Sequence, residues 1–367
     1  MFTAFCLILL NLHSFLNQQK MSLTSADTIV DIKSFGLLTS INEVLCYTLK
    51  NKNGMELSVI NYGATITSLK VPLNDAEKID VVLGFENLDD YIHSYSLPSA
   101  PYFGAVVGRY AGRINKGQFP LNGKEIILTK NHGNHHLHGG VSGFSQQFWK
   151  VKKINGGDYP SIKLEYVSHN EEEGFPGMLV AEVTYMLTES NQVIVDFHAY
   201  STEDTVINLT QHTYFNLEGQ HTSIKNQEVT IYANAFLDTT AENIPTGEIK
   251  RVDQTEFDFT NAKKVPSEID HTFVLEKNQK VAAVLESQKN KLKMTVLTDQ
   301  PAVHVYVGGD CFGELPGKNN AAYHSQSGIC FETQNYPDAP NHENFPNSFL
   351  KKGNRYHHQT IFAFEKI

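Results

Sequence analysis

Ala302-Val303-His304-Val305-Tyr306-Val307 alternates valine with side chains that form hydrogen bonds. Successive strand residues point to opposite faces, so Val303, Val305 and Val307 share one face and His304 and Tyr306 the other. A helix would scatter those valines around its axis, whereas a strand gathers them toward an apolar core. The same division recurs at residues 329–334, where Ile329, Phe331 and Thr333 oppose Cys330, Glu332 and Gln334. In residues 208–215, Asn208, Thr210, His212 and Tyr214 oppose Leu209, Gln211, Thr213 and Phe215. Two outcomes are open for the polar faces. They meet water, the usual fate of one side of an antiparallel sheet, or they line a concave surface that holds a polar ligand.

Outward from these stretches, short β-branched or alternating runs lie at 57–62, 66–71, 81–85, 103–107, 193–200, 229–233, 294–298 and 360–364, and 206–213 and 328–333 extend two of the runs above. Glycine, asparagine, aspartate and proline separate them, as turns between strands require. The stretch after Gln254 has weak helical periodicity, and no helix recurs between strands as a parallel βαβ fold would need. The pattern predicts an all-β fold, a large antiparallel β-sandwich of two sheets packed face to face. With 41% hydrophobic and only 19% charged residues, 367 residues can bury a sizeable core. No composition break follows residue 27, so residues 27–367 read as a single domain.

The net charge of −10 repels phosphate backbones, and no basic patch offsets it, so a nucleic-acid partner is not expected. Cys6, Cys46, Cys311 and Cys330 are widely spaced with no CxxC pair, which argues against both a zinc knuckle and a disulfide framework. Residues 2–12 form an apolar run too short to span a bilayer. Residues 1–26 are either a leader or an extension upstream of a true start at Met21; the expectation is a cytoplasmic protein, with export the alternative. No later segment reaches 18 continuous apolar residues, so a membrane-crossing chain is not expected.

Residues 131–140 pack His132, His135, His136 and His138 between glycines. The spacing is not that of an HExxH metalloprotease, so a loop presenting one or two imidazoles, exposed turn histidines and a metal site using His135, His136 and His138 all stay open. His357-His358 reads as an exposed pair. Asn208-Leu209-Thr210 matches a glycosylation sequon but falls inside a predicted packed strand, a poor acceptor. Nucleotide-binding glycine motifs and the Gly-x-Ser-x-Gly elbow are absent.

Six strings in order resemble the aldose 1-epimerase, or galactose mutarotase, family: Asn61-Tyr62-Gly63-Ala64; Gly108-Arg109-Tyr110-Ala111-Gly112-Arg113-Ile114; Leu137-His138-Gly139-Gly140; Gln211-His212-Thr213-Tyr214-Phe215-Asn216-Leu217; Asp270-His271-Thr272-Phe273; and Glu332-Thr333-Gln334-Asn335-Tyr336-Pro337-Asp338-Ala339. The resemblance implies a galactose mutarotase-like supersandwich that interconverts the α and β anomers of free aldoses without metal or other cofactor, as a monomer or homodimer. It implies Glu332 as base, His212 as acid, and Arg113, His138 and Asp270 as sugar-binding residues. The reaction requires Glu332 and His212 to converge on one cavity, a pyranose apart.

Two departures from the family pattern bear on sugar preference: Gly112 stands where many members carry Asn, and His304 stands at a sugar-contacting position where some carry Gln. A non-catalytic carbohydrate-binding or sugar-sensing protein on the same fold is the alternative. Epimerisation of a phosphorylated hexose would need further cations around the anion.

Overall fold

The computed structural model describes residues 30–74, 76–309 and 313–367. The N-terminal run, Cys6 and Cys311 lie outside the described residues. Among the described residues, three antiparallel sheets dominate. Val30–Leu37, Glu43–Lys50, Glu56–Ile60, Thr65–Pro72 and Lys78–Asp80 form a five-stranded meander. A nine-stranded sheet has Gln192–Ser201, Arg355–Lys366 and Leu292–Thr298 at its centre. A six-stranded sheet runs in the order Tyr214–Phe215, Ile329–Gln334, Ala302–Val307, Ile269–Val274, Ala235–Thr239, Pro245–Arg251. No helix of the described residues is long and apolar enough to cross a membrane.

One apolar cluster joins the three sheets. Leu57 and Ile66 come from the first, Val183, Val195 and Phe362 from the second, and Phe273, Val303, Val305, Ile329 and Phe331 from the third. Burying a side chain of this size contributes about 1.5–3 kcal/mol. That gain holds the valine face of Ala302–Val307 inward and fixes the register of its neighbours, because a one-residue slip would turn every valine outward.

Three expectations from the sequence differ in the structure. Residues 206–213 are not one strand: Thr205–Val206 pairs with Phe349–Leu350, Thr210–His212 with Ala105–Val107, and Tyr214–Phe215 with Ile329–Gln334. The chain changes partner each time, so a continuous β-forming sequence is cut into pieces by tertiary pairing. Residues 81–85 form no strand; Val82 makes only an isolated bridge to Phe215. The stretch after Gln254 is turns, and the helix lies instead at Leu88–Ser94, too short for periodicity to reveal. Its signal is local: Asn87 Oδ1 accepts from the Asp90 amide at 2.9 Å.

Candidate active site

The polar faces do not meet water as an open surface. His212, Tyr214, His304, Tyr306, Glu332 and Gln334 from these faces line a cavity of about 370 Å³, within the range of small-molecule sites, while Asn208 and Thr210 bond to backbone carbonyls. Ladder geometry places its groups. Thr272, His304 and Glu332 lie opposite one another on three adjacent strands, and Asp270, Tyr306 and Cys330 occupy the next rung on the same face. His212 arrives from the Thr210–His212 strand, its carbonyl accepting from the Gly104 amide at 2.8 Å. Arg113 and His138 come from the ladder in which Leu137 pairs with Arg113.

His212 Nε2 lies 3.4 Å from Glu332 Oε1, with both side chains buried. They are closer than a pyranose apart. Burial holds His212 below its ordinary value, although the Glu332 charge works against that. Its Nδ1 faces Cys330 Sγ at 3.6 Å. Burial, reinforced by the Glu332 charge, pushes that thiol well up, so it stays protonated beside the ring, while Nε2 faces Glu332.

Asp270 organises the other half of the site. Its Oδ1 meets His304 Nε2 at 2.9 Å, and its Oδ2 accepts from Asn243 Nδ2 at 2.8 Å and Arg113 Nη2 at 3.4 Å. Burial alone would push the Asp270 carboxyl up, but the hydrogen bond and charge of His304 and the charge of Arg113 hold it well below the usual carboxylate range. Burial pulls His304 down, and Asp270 outweighs it, so the imidazole is raised above its ordinary value. The other nitrogen of His304 pairs with Thr272 Oγ1 at 2.8 Å. Both ring nitrogens of His304 are thus committed to protein partners. Of the roughly four lone-pair sites on a carboxylate, Asp270 has about one left for a ligand.

His138 Nδ1 accepts from the Gly112 amide at 3.2 Å. Burial, with His212 and Arg113 nearby, holds this imidazole well below its ordinary value, so it is neutral and its free donor is Nε2–H. The backbone favours glycine at Gly112: its φ is +78°, and a Cβ there would sit 2.9 Å from Pro337 Cγ. The cavity also holds buried polar atoms with no protein partner, namely Glu332 Oε2, Gln334 Oε1 and Arg113 Nε. Such groups await hydrogen bonds from a ligand or water.

The six predicted residues, Arg113, His138, His212, Asp270, His304 and Glu332, therefore line one cavity. Of the other histidines of residues 131–140, His132 also lines the cavity, whereas His135 and His136 do not. His136 is buried with Nδ1 on the Thr129 carbonyl at 2.7 Å, and His135 Nδ1 accepts from the Lys116 amide at 3.1 Å. The ligating atoms of His138, His212 and Glu332 do lie within 4.8 Å of one another, close enough to share a transition-metal ion. Asn208 is buried, with Nδ2 bonded to the Ala111 and Asn335 carbonyls, and offers no glycan acceptor.

Sequence reasoning missed Asn243, which steadies Asp270, and Tyr102, whose ring packs 5.0 Å from His138 and 5.7 Å from His212. Neither sits in a patterned stretch. Gln334 was legible as sharing the Glu332 face, but its orphaned oxygen was not.

A sequence profile described as aldose 1-epimerase matches residues 45–363. A galactose mutarotase of Sus scrofa is 40% identical over 321 residues, covering 84% of this chain and 91% of its own. An aldose 1-epimerase of Haemophilus influenzae is 38% identical over 334 residues, covering 87% and 95%. The crystal structure of an aldose epimerase homologue from C. elegans superposes with a TM-score of 0.80 at 27% identity, over 87% of this chain and 98% of that one. By sequence, fold and the setting of its polar cavity, this chain belongs to the aldose 1-epimerase family.

Proposed function

We propose that this chain interconverts the α and β anomers of free aldoses, with Glu332 and His212 exchanging the protons that open and close the hemiacetal ring. The buried carboxylate and imidazole, 3.4 Å apart on the cavity floor, carry this reading. The anomeric hydroxyl and the ring oxygen are attached to the same carbon, so groups this close can each reach one of them. Glu332 takes the hydroxyl proton, the freed electron pair forms the carbonyl, and the C1–O5 bond breaks as the His212 imidazolium gives its Nε2 proton to O5, leaving a neutral ring. Rotation about C1–C2 presents the other carbonyl face, and the protons return by the reverse path. A well-placed acid or base each contributes about 10²–10⁴ in rate.

Arg113 and His138 supply donors for sugar hydroxyls, while Asp270 keeps one acceptor site and holds the arginine. His304 acts through Asp270 and Thr272, and it meets the sugar with its ring rather than its nitrogens. The charge balance favours a neutral sugar over a phosphorylated one. Among the described lining residues Arg113 is the single Lys or Arg, and it is already tied to Asp270.

Polarimetry tests the reading. The protein should accelerate the rotation change of freshly dissolved α-D-galactose or α-D-glucose, and extensive chelation should leave the rate unchanged. Sugar binding without acceleration would favour the sensor alternative. Activity lost on chelation and restored by metal would point instead to an ion on His138, His212 and Glu332.

A further inference from the structure

A second group of ligating side chains lies on the nine-stranded sheet, outside the residues that line the sugar cavity. Gln192–Ser201 and Arg355–Lys366 are adjacent antiparallel strands in which His198 pairs directly with His357, and Asp196 with Gln359. The two imidazoles stack with centroids 4.6 Å apart, both turning Nε2 toward the Asp196 carboxylate. His198 Nε2 lies 2.9 Å from Oδ2 and His357 Nε2 lies 2.8 Å from Oδ1. Gln359 Nε2 donates to Oδ1 at 3.2 Å and steadies that carboxylate. On the opposite face Phe197 and His358 are buried, their rings 5.3 Å apart, so the backbone beneath the group is anchored.

We infer that Asp196, His198 and His357 form a binding site for a divalent first-row transition-metal ion of the zinc, cobalt and nickel class. Two imidazoles and one carboxylate are a donor set such ions favour, whereas magnesium and calcium prefer oxygen cages. The ligating atoms lie within 4.8 Å of one another. Tetrahedral coordination with bonds near 2.0–2.2 Å separates ligand atoms by roughly 3.3 Å. The present contacts of 2.8 and 2.9 Å therefore need to open by only about half an ångström around an ion. Side chains that are 40% and 50% exposed, as His198 and His357 are, can make that movement. Each imidazole shifts its proton to Nδ1, and water completes the shell. A bound ion would clip the C-terminal strand to its neighbour at the centre of the sheet.

Cobalt(II) titration, followed by visible absorbance and calorimetry, tests the site on the full chain. The wild type should bind an ion that His198→Ala or His357→Ala weakens at least tenfold, because losing even an outer-shell partner of a metal ligand costs that much. Mutarotation by both variants should be unchanged, and magnesium should not compete. In the unaltered protein, zinc should protect His198 and His357 from acylation by diethyl pyrocarbonate, mapped by mass spectrometry. Superimposable isotherms for wild type and His357→Ala would overturn the inference. Acylation of both histidines undiminished by zinc would do the same, as would binding that tracks only the loss of mutarotation.

Discussion

Glu332→Gln keeps the size and shape of the side chain and removes its capacity to take a proton. A general base is worth about 10²–10⁴ in rate, so the substitution should raise the barrier by roughly 3–5 kcal/mol at about 1.4 kcal/mol per decade. The effect on stability should have the opposite sign or be absent. Glu332 is buried, its Oε2 has no protein partner, and its recorded ion pair is the 3.4 Å contact with His212. An unsatisfied buried polar atom costs about 1–3 kcal/mol, more when charged, and a neutral amide is cheaper to bury than a carboxylate. The expected signature is a folded protein with a melting temperature equal to or above that of the wild type and mutarotation of α-D-galactose down at least a hundredfold. Initial rates by polarimetry and a thermal melt on the same preparation suffice. A folded variant within tenfold of wild-type turnover would refute the assignment of Glu332 as base.

The His212–Glu332 pair works with one proton between them, so kcat/KM should fall on both sides of an optimum. Burial of His212 should draw the alkaline limb to or below the ordinary imidazole value, and a flat polarimetric pH profile would contradict the pairing. His304→Gln should loosen Arg113 and Asp270, raising KM more than it lowers kcat and altering the ratio of galactose to glucose turnover in side-by-side assays. Because the folded His304 value is raised and that of Asp270 depressed, the stability lost in His304→Gln should be largest between about pH 4 and 6.5. It should fade as pH rises through the raised His304 value, which denaturant midpoints measured across pH would show. Gly139→Ala would set a Cβ 1.7 Å from the Gly108 carbonyl oxygen at a φ of +89°, so a lower melting temperature and a displaced His138 with reduced turnover are expected. Wild-type melting and kinetics in this variant would argue against that packing.

Strand faces were the most legible part of this chain. Alternation around His304 and Glu332 separates a core side from a polar side without reference to any other stretch, and the structure keeps both divisions. Alternation does not say whether a polar face meets water or a cavity; that depends on covering loops such as residues 97–100 and 131–140. Residues 206–213 misled because β propensity is local while pairing partners are not. His357-His358, expected as an exposed pair, divides instead: strand alternation buries His358 fully and leaves His357 at the surface, where its partner Asp196 is 161 residues away. Asn243, likewise, reaches Asp270 from a loop whose composition announces nothing. Tertiary convergence of this kind leaves no trace in spacing.

Thr272, His304 and Glu332 sit on a single rung of the six-stranded sheet, and this couples proton chemistry to the integrity of the ladder. If Ile329–Gln334 slipped by one position, Phe331 or Thr333 would be delivered to the cavity and the glutamate to the oily interior. A misregistered conformer would be inert rather than sluggish. Residues 97–100, which also line the cavity, belong to no ladder. Their side chains can drift over generations and retune which sugar is welcomed, while the apparatus that breaks the ring stays clamped to the framework.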